Sequence, residues 1–238
     1  VPVPPPALPV LRIPIWPVPA GRPEIERIEP PALDDAPGAG FTIYGDNLSG
    51  PGTTVRIGAR PATPSKMSPG ALTVALPDGL RIGTVGVQVV RAEAPAEHWI
   101  VESNPFALLL RPRVSGAPSY AAEAPAGSSA PSPAIYVPVS PAAAPGQVAQ
   151  LYLDESDPPA DRPARGYSVA IGALREMTTL LAFPAAGVAA GSYLVRIVID
   201  GATSLLAIDT DPASPTYGRY ASPLVSVPQT DASAEGAP

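Results

Sequence analysis

The chain has 238 residues, including 36 prolines and 21 glycines, and its formal net charge is −6. This composition excludes long helical architectures, because a proline inside a helix costs about 3 kcal/mol, and the negative charge argues against nucleic acid as a partner. The absence of cysteine excludes disulfides, thiolate metal ligands and a cysteine nucleophile. Hydrophobic residues still make up 45% of the chain, so a core punctuated by proline and glycine is expected.

We expect neither a signal peptide in the first residues nor a membrane span in the chain. No apolar run reaches the ~18 residues of a membrane span, and the first residues lack the basic start of a signal peptide. The chain begins with Val1 rather than methionine. We therefore expect it to be a piece of a longer protein.

Residues 1–22 contain eight prolines. Proline fixes φ and lacks the N–H, so the segment is predicted to be an extended polyproline II arm or a stiff linker, about 65 Å long. Its apolar side chains are unusual for a solvated linker and favour docking against a neighbouring surface. The candidate partner-docking residues are Leu11, Ile13, Ile15 and Trp16.

Residues 23–112 change to short segments in which apolar and polar residues alternate, separated by glycine- and proline-containing turns. The clearest segments are 41–45, 54–58, 72–76, 83–91 and 104–111. Alternation over four to eight residues predicts half-buried strands. About six strands at this spacing predict a β-sandwich.

Residues 113–133 are rich in Ala, Pro and Ser and are predicted to form a linker. Strands are predicted again in 134–228, over Ile135–Val139, Val148–Leu153, Tyr167–Ile171 and Thr179–Phe183. The strongest strand starts at Ser192, with four apolar residues on one face: Tyr193, Val195, Ile197 and Ile199. The small polar residues 229–238 are predicted to form a flexible tail.

A weak internal repeat links the two halves. Pro77, Gly79 and Gly83 precede one strong strand, and Pro184, Gly187 and Gly191 precede another. Each copy is predicted to form a hairpin-like corner. The fold prediction is therefore all-β: two tandem immunoglobulin-like sandwich domains preceded by an extended proline-rich arm.

Catalytic constellations are largely excluded. His98 is the only histidine, so Ser-His-Asp catalysis has one candidate base, and we interpret that residue as an ordinary surface side chain. A histidine-ligated zinc site lacks ligands, and no phosphate- or dinucleotide-binding glycine pattern opens a helix. The prediction is no enzyme, with no catalytic, cofactor-binding or metal-binding residues and no cofactor.

Acidic clusters leave two alternatives open. They comprise Asp154, Glu155, Asp157 and Asp161 in one segment and Asp209 and Asp211 in another. We interpret them as solvated loop acids. Oxygen-rich loops that bind calcium and paired carboxylates for glycoside hydrolysis are the alternatives, although no calcium-specific spacing is present.

Residues 23–112 also carry family motifs. They comprise P-x-I-x-x-I-x-P from Pro23, G-x-x-F-T-I-Y-G-D-N-L from Gly38, V-R-I-G from Val55, and L-P-x-G-L from Leu76. This stretch resembles an IPT/TIG domain, an immunoglobulin-like module.

The second half adds P-G-Q-V from Pro145, F-P-x-x-G-V from Phe183 and G-S-Y-L-V-R-I-V-I-D-G-A-T-S from Gly191. With E-S-N-P-F from Glu102, these motifs resemble the C-terminal region of cap, or tail-terminator, proteins of bacterial contractile injection systems, which are phage-tail-like particles. The resemblance covers about residues 23–228. The N-terminal domain of that family, the part expected to sit on the sheath and tube, is absent from this chain.

The resemblance implies a structural, non-catalytic appendage that acts through protein–protein contacts. Its expected partners are the sheath, the tube or neighbouring cap protomers, with a homo-oligomeric ring in the full-length protein. The expected location is the bacterial cytoplasm during assembly, with release outside the cell as part of the particle.

Two other functions stay open. A cell-surface adhesion or carbohydrate-binding module would need exposed aromatic residues, for which Trp99 with Tyr120 is the visible candidate. A spacer attached to an enzyme would have its catalytic domain elsewhere in the full-length protein.

Overall fold

A computed structural model describes residues 21–34, 39–93, 99–124 and 130–229. All regular structure in these ranges is β, which confirms the predicted all-β class. Within them, no helix is long and apolar enough to cross a membrane. The arm up to residue 20 and the tail from residue 230 lie outside the described residues.

The first domain contains ten strands. They are β1 (Glu24–Glu29), β2 (Ala32–Asp34), β3 (Gly40–Asp46), β4 (Thr54–Ile57), β5 (Arg60–Ala62), β6 (Lys66–Ser68), β7 (Ala71–Ala75), β8 (Gly83–Glu93), β9 (Trp99–Glu102) and β10 (Phe106–Arg111). One sheet has the order β1-β3-β7-β6, and the other has the order β2-β10-β8-β4-β5, with β9 also paired to β8. The β2–β10 pair is parallel.

The two sheets of the first domain enclose one core. Ile43 and Leu72 come from the first sheet, and Val55, Val87 and Leu108 come from the second. Each of these side chains is fully buried. The apolar residues of the alternating segments therefore point inward from both sheets, as in an immunoglobulin-like sandwich.

Strand β1 is a strand that the alternation rule does not predict. Its buried residues Ile25 and Ile28 lie three positions apart, whereas a regular strand repeats every two. The pairing of β1 with β3 shifts register between Ile25 and Arg27. A β-bulge of this kind inserts one residue and returns both isoleucines to the core face.

The second domain contains eleven strands. They are β11 (Arg113–Val114), β12 (Ser119–Ala121), β13 (Ala134–Ala143), β14 (Ala149–Glu155), β15 (Gly166–Ile171), β16 (Thr178–Pro184), β17 (Gly191–Ile199), β18 (Ala202–Thr203), β19 (Ala207–Ile208), β20 (Tyr220–Ser222) and β21 (Leu224–Val227). β13 pairs with β11, β12 and β16. The facing sheet has the order β15-β14-β17-β18, with β21 also on β17.

The core of the second domain is centred on β17. Tyr193, Val195, Ile197 and Ile199 are all fully buried, which confirms the predicted inward face. Phe183 of β16 packs into the same core from the facing sheet. The two domains are thus built on the same two-sheet principle.

The segment 113–133, predicted as a linker, is instead partly structured. β11 and β12 pair with β13, through Arg113 opposite Ser140 and Tyr120 opposite Ile135. Tyr120 packs against the second core. Strands of two and three residues are too short to show an alternating pattern, so composition alone did not predict β11 and β12.

The internal repeat occupies equivalent places in the two domains. Gly79 and Gly187 both adopt a left-handed backbone, with φ of 73° and 83°, which glycine adopts without steric cost. The predicted hairpin-like corner is wrong, because β7 and β8 belong to different sheets, as do β16 and β17. Each repeat carries the chain across the sandwich from one sheet to the other.

Candidate functional site

The two domains meet at an apolar contact. Buried Pro112 is the only residue between β10 and β11. Ile82, which precedes β8 of the first domain, is 3% exposed and belongs to the core of the second domain. Leu109 of β10 packs against the same core. The domains therefore share buried surface.

Gln147 holds this junction from the second domain. Its side chain is fully buried, and its Nε2 donates to the Ile82 carbonyl at 2.8 Å and to Asp200 Oδ2 at 2.9 Å. Its Oε1 accepts from the Ala144 N–H at 2.8 Å. A buried amide with all these groups paired is stable, and one left unpaired is costly, so Gln147 fixes the position of one domain against the other.

Asp200 completes the junction. It adopts a left-handed backbone with φ of 46°, and its Oδ1 accepts from the Val148 N–H at 3.0 Å. Hydrogen bonds from Gln147 and Val148, with a contribution from Arg81, hold the pKa of this carboxyl below its usual range. The Arg81 guanidinium of the first domain lies 3.9 Å from Asp200 Oδ2. The junction thus combines an apolar contact, a buried amide and an ion pair.

The chain enters the first domain at its far end. Arg91 of β8 is 8% exposed and donates to the Gly21 carbonyl at 2.9 Å and to the Asn47 carbonyl at 2.7 Å. Gly83, at the other end of β8, lies beside Asp200 of the second domain. With a rise of about 3.3 Å per residue, the backbone of Arg91 lies about 26 Å from Gly83, and Gly21 is at the Arg91 end.

The chain leaves the second domain at the opposite end. Val227 of β21 pairs with Gly191 at the start of β17, whereas Ile199 at the end of β17 adjoins Asp200. The described chain therefore enters at one pole of a two-domain rod and leaves at the other.

The far end of the second domain is held by a tyrosine corner. Tyr193 Oη donates to the Ala189 carbonyl at 2.8 Å, an arrangement typical of immunoglobulin-like sandwiches. Tyr167 accepts from the Ala189 N–H at 3.2 Å, and the two rings meet edge to face with centroids 5.7 Å apart.

We expect Tyr193→Phe to lower the free energy of unfolding by about 1–2 kcal/mol, because the Ala189 carbonyl loses its partner while the ring stays buried. Urea denaturation of the full chain measures the change. Tyr220→Phe, at a tyrosine that is 59% exposed, is the control and should leave the midpoint unchanged. An equal shift in both variants would contradict the assigned role of the corner.

Glu155, one of the residues in the first acidic cluster, is buried and forms an ion pair within the fold. Its side chain is only 3% exposed, so the interpretation as a solvated loop acid is wrong for this residue. Arg162 Nη1 donates to Glu155 Oε2 at 2.7 Å, and the Arg165 N–H donates to the same oxygen at 2.9 Å. These bonds, Arg162 first, lower the pKa of Glu155 from 4.5 to about 2.

The lowered pKa of Glu155 predicts an acid-sensitive contribution to stability. A depressed folded-state pKa stabilises the fold above the ordinary pKa of 4.5, and this is lost as the pH falls toward about 2. Glu155→Gln should therefore flatten the fall in the free energy of unfolding between these pH values, as measured by urea denaturation at each pH. Glu176→Gln, at an exposed glutamate, should keep the slope of the unmodified chain. A Glu155→Gln slope equal to that of the unmodified chain would contradict the account.

Two of the other acidic residues are paired with neighbouring side chains. Asp154 pairs with Arg196 at 2.8 Å, and Asp209 accepts from Thr216 Oγ1 at 2.6 Å. Among the described residues, no group of three or more His, Asp or Glu side chains could hold a metal ion.

Most of the sequence-predicted site residues fall in parts of the chain that the structure does not describe. Leu11, Ile13, Ile15, Trp16 and His98 lie outside the described residues. Trp99 begins β9 of the first domain, whereas Tyr120 lies on β12 of the second. The predicted aromatic pair is therefore split between two domains.

Sequence reasoning missed an exposed apolar surface on the second domain. We call it the apolar patch and define it by four residues that are 41–62% exposed: Leu205, Ile208, Tyr220 and Leu224. They lie within or beside the β19–β20 hairpin, where Ile208 pairs with Tyr220. No periodicity marks this segment, and only its apolar residues in a loop-like context could have drawn attention to it.

Comparison with known families finds one match in each half of the chain. Residues 23–106 match the IPT/TIG domain family. The chain contains an IPT/TIG domain. Residues 112–227 match a second family, a domain of unknown function designated DUF8756. The IPT/TIG match confirms the immunoglobulin-like interpretation of the first domain, and the second match spans the strands from β11 to β21.

Comparisons with whole proteins give no match that bears on function. No curated protein matches the chain. Among solved structures, the crystal structure of Gamma-CGTase from alkalophilic Bacillus clarkii is similar, with 17% identity and a TM-score of 0.32. The match covers 76% of this chain and 23% of that one, so this chain spans about a quarter of that protein. A similarity this distant carries no argument about function.

Proposed function

We propose that this chain is a non-catalytic structural module, the tandem immunoglobulin-like appendage of a cap or tail-terminator protein of a bacterial contractile injection system. It acts through contacts with other subunits of the particle: sheath, tube or neighbouring cap protomers. The observation that carries the proposal is the locked junction, in which buried Gln147 joins Ile82 and Asp200.

A locked junction suits a structural part. Domains within one chain move relative to each other by default, and buried contacts between them oppose that motion. Here Ile82 enters the core of the neighbouring domain, and the chain enters and leaves at opposite poles. A rod of this kind holds a fixed distance and orientation between whatever its two ends contact.

The finer assignment to a contractile injection particle rests on sequence motifs. P-G-Q-V from Pro145 and the strand from Gly191 occur in the order expected of cap proteins. P-G-Q-V contains Gln147, so one motif of the resemblance coincides with the junction. Assembly in the cytoplasm, a homo-oligomeric ring in the full-length protein and release with the particle belong to the same proposal.

The test deletes residues 21–229 from the gene in the producing bacterium and examines purified particles by electron microscopy. We expect altered particle ends, a broader length distribution or a lower yield. A Gln147→Ala strain should show a weaker form of the same defect, and a Gln150→Ala strain should match the parent. Normal ends, lengths and yield in the deletion strain would reject the proposal.

Adhesion or carbohydrate recognition is the second candidate. The observation in its favour is that Tyr217 and Tyr220 are each 59% exposed, because exposed aromatic rings provide flat apolar surfaces for sugars. A glycan array probed with the full chain and with a Tyr217→Ala, Tyr220→Ala variant tests it. Binding that the variant loses would favour this candidate, and uniformly absent binding would remove it.

A further inference from the structure

The apolar patch is a shaped surface with two clefts. One cleft, of about 620 Å³, is lined by Leu205, Ile208 and Tyr220, with Arg196 and Asp154 among its polar walls. The other, of about 520 Å³, is lined by Leu205 and Leu224 together with Pro112 and Pro118. Leu205 thus forms a ridge between two grooves. Exposed apolar surface of this kind marks an interaction site.

The lining of the clefts indicates the chemistry of the partner. Tyrosine- and proline-lined grooves bind proline-rich segments, which lose little entropy because they are already extended. Tyrosine and arginine are also the residues most enriched at protein contacts. The charged residues in the wall of this cleft, Asp154 and Arg196, neutralise each other as an ion pair, so this surface suits an apolar segment with little charge.

Such a segment exists in this protein. Residues 11–16 read L-R-I-P-I-W, with a single charge at Arg12. Each cleft is lined by one aspartate and one arginine, Asp34 with Arg113 and Asp154 with Arg196, so neither cleft disfavours a segment that is mainly apolar. We propose that residues 11–16 of one copy of this chain dock on the apolar patch of a second copy.

Chain length decides between docking within one copy and docking between copies. Trp16 is five residues from Gly21, which is held at the far end of the first domain by Arg91. Five extended residues span at most about 18 Å. The patch borders the junction, since Pro112 lines one of its clefts, and the junction lies about 26 Å along β8 from the Arg91 end that holds Gly21. Trp16 therefore meets the patch of another copy.

This inference deepens the proposed function, because it names a contact by which copies would assemble into a ring. The inference rests on one premise of the proposed function, namely that this chain is part of a larger assembly. A chain that stays monomeric would reject arm docking and leave the particle-deletion test unaffected.

The test measures self-association of the full 238-residue chain by sedimentation velocity over a range of concentrations. We expect concentration-dependent oligomers for the unmodified chain. Trp16→Ala and Leu205→Ser, Tyr220→Ser should each weaken association by about tenfold or more, since central anchor residues dominate binding energy. A Met67→Ser, Ile100→Ser variant is the matched control, because these residues are 55% and 65% exposed on the first domain, and it should associate normally.

A second readout follows Trp16 directly in a Trp99→Phe background, where it is the only tryptophan. Its emission should shift to the blue as concentration rises, and the Leu205→Ser, Tyr220→Ser change should abolish the shift. A chain that stays monomeric at hundreds of micromolar would overturn the proposal. So would association that the patch variant leaves unchanged, or patch-dependent glycan binding without self-association.

Discussion

Replacing Gln147 with alanine is expected to lower the free energy of unfolding by about 3–5 kcal/mol. The change leaves the buried Ala144 N–H and the Ile82 carbonyl without the partner they have now, and each unpaired buried group costs about 1–3 kcal/mol. Asp200 also loses one bond but keeps the Val148 N–H. Urea denaturation of the full chain gives the loss. Calorimetry should also show the single transition of the unmodified chain separate into two, because Gln147 couples the domains.

Gln150→Ala is the matched control for Gln147. Gln150 lies three residues further along, is half-buried and bonds one side chain, the Ser168 hydroxyl, at 2.6 Å. We expect its loss to cost less than about 1 kcal/mol and to leave one thermal transition. An equal loss in the free energy of unfolding for the two variants would mean that the Gln147 amide does not hold the junction. The domains would then be coupled in another way.

Replacing Gly45 with alanine is expected to destabilise the first domain at the upper end of the about 1–3 kcal/mol typical of overpacking, or beyond it. A Cβ at position 45 would lie 1.9 Å from the Glu24 carbonyl oxygen. Gly45 pairs with Ile25 where β1 and β3 shift register, so a clash there would force the two strands apart. Urea denaturation of the full chain measures the loss.

Gly86→Ala is the control for Gly45. Gly86 lies on β8, is exposed, and has open space where its Cβ would be. Alanine there is expected to be neutral or to stabilise the fold by about 0.5 kcal/mol, since glycine costs conformational entropy in a strand. A Gly45→Ala variant as stable as Gly86→Ala would show that β1 does not pack against β3 as described.

The sequence predicted those parts of the fold in which burial follows a period of two. The inward face of β17 is an example, because Tyr193, Val195 and Ile197 repeat without interruption and are fully buried. The bulge in β1 broke that period, so its strand was not predicted. β11 and β12 were missed because strands of two or three residues contain no measurable period.

The junction was harder to predict than the strands. Gln147 bonds Ile82 and Asp200, which are 65 and 53 residues away, and a single glutamine in P-G-Q-V gives no sign of such distant partners. The motif itself was visible in the sequence. What could not be predicted was that its polar side chain is buried, because burial depends on how two separately folded sandwiches meet.

The acidic residues illustrate the same limit. Asp154 and Glu155 are neighbours in sequence, but alternation in β14 sends them to opposite sides. The Asp154 side chain is 49% exposed beside Arg196, and that of Glu155 is 3% exposed beside Arg162. From the sequence, Asp154 and Glu155 were interpreted together as solvated loop acids. Only the register of the strand separates a surface ion pair from a buried one.

The rigid two-domain rod is the central claim, and residual dipolar couplings of backbone amides test it most directly. Couplings from the strand residues of the first domain and from those of the second should fit one common alignment tensor in the unmodified chain. In Gln147→Ala, the two sets should need separate tensors of different magnitude. Two different tensors in the unmodified chain would contradict the claim, because they would show that the domains reorient independently despite the junction.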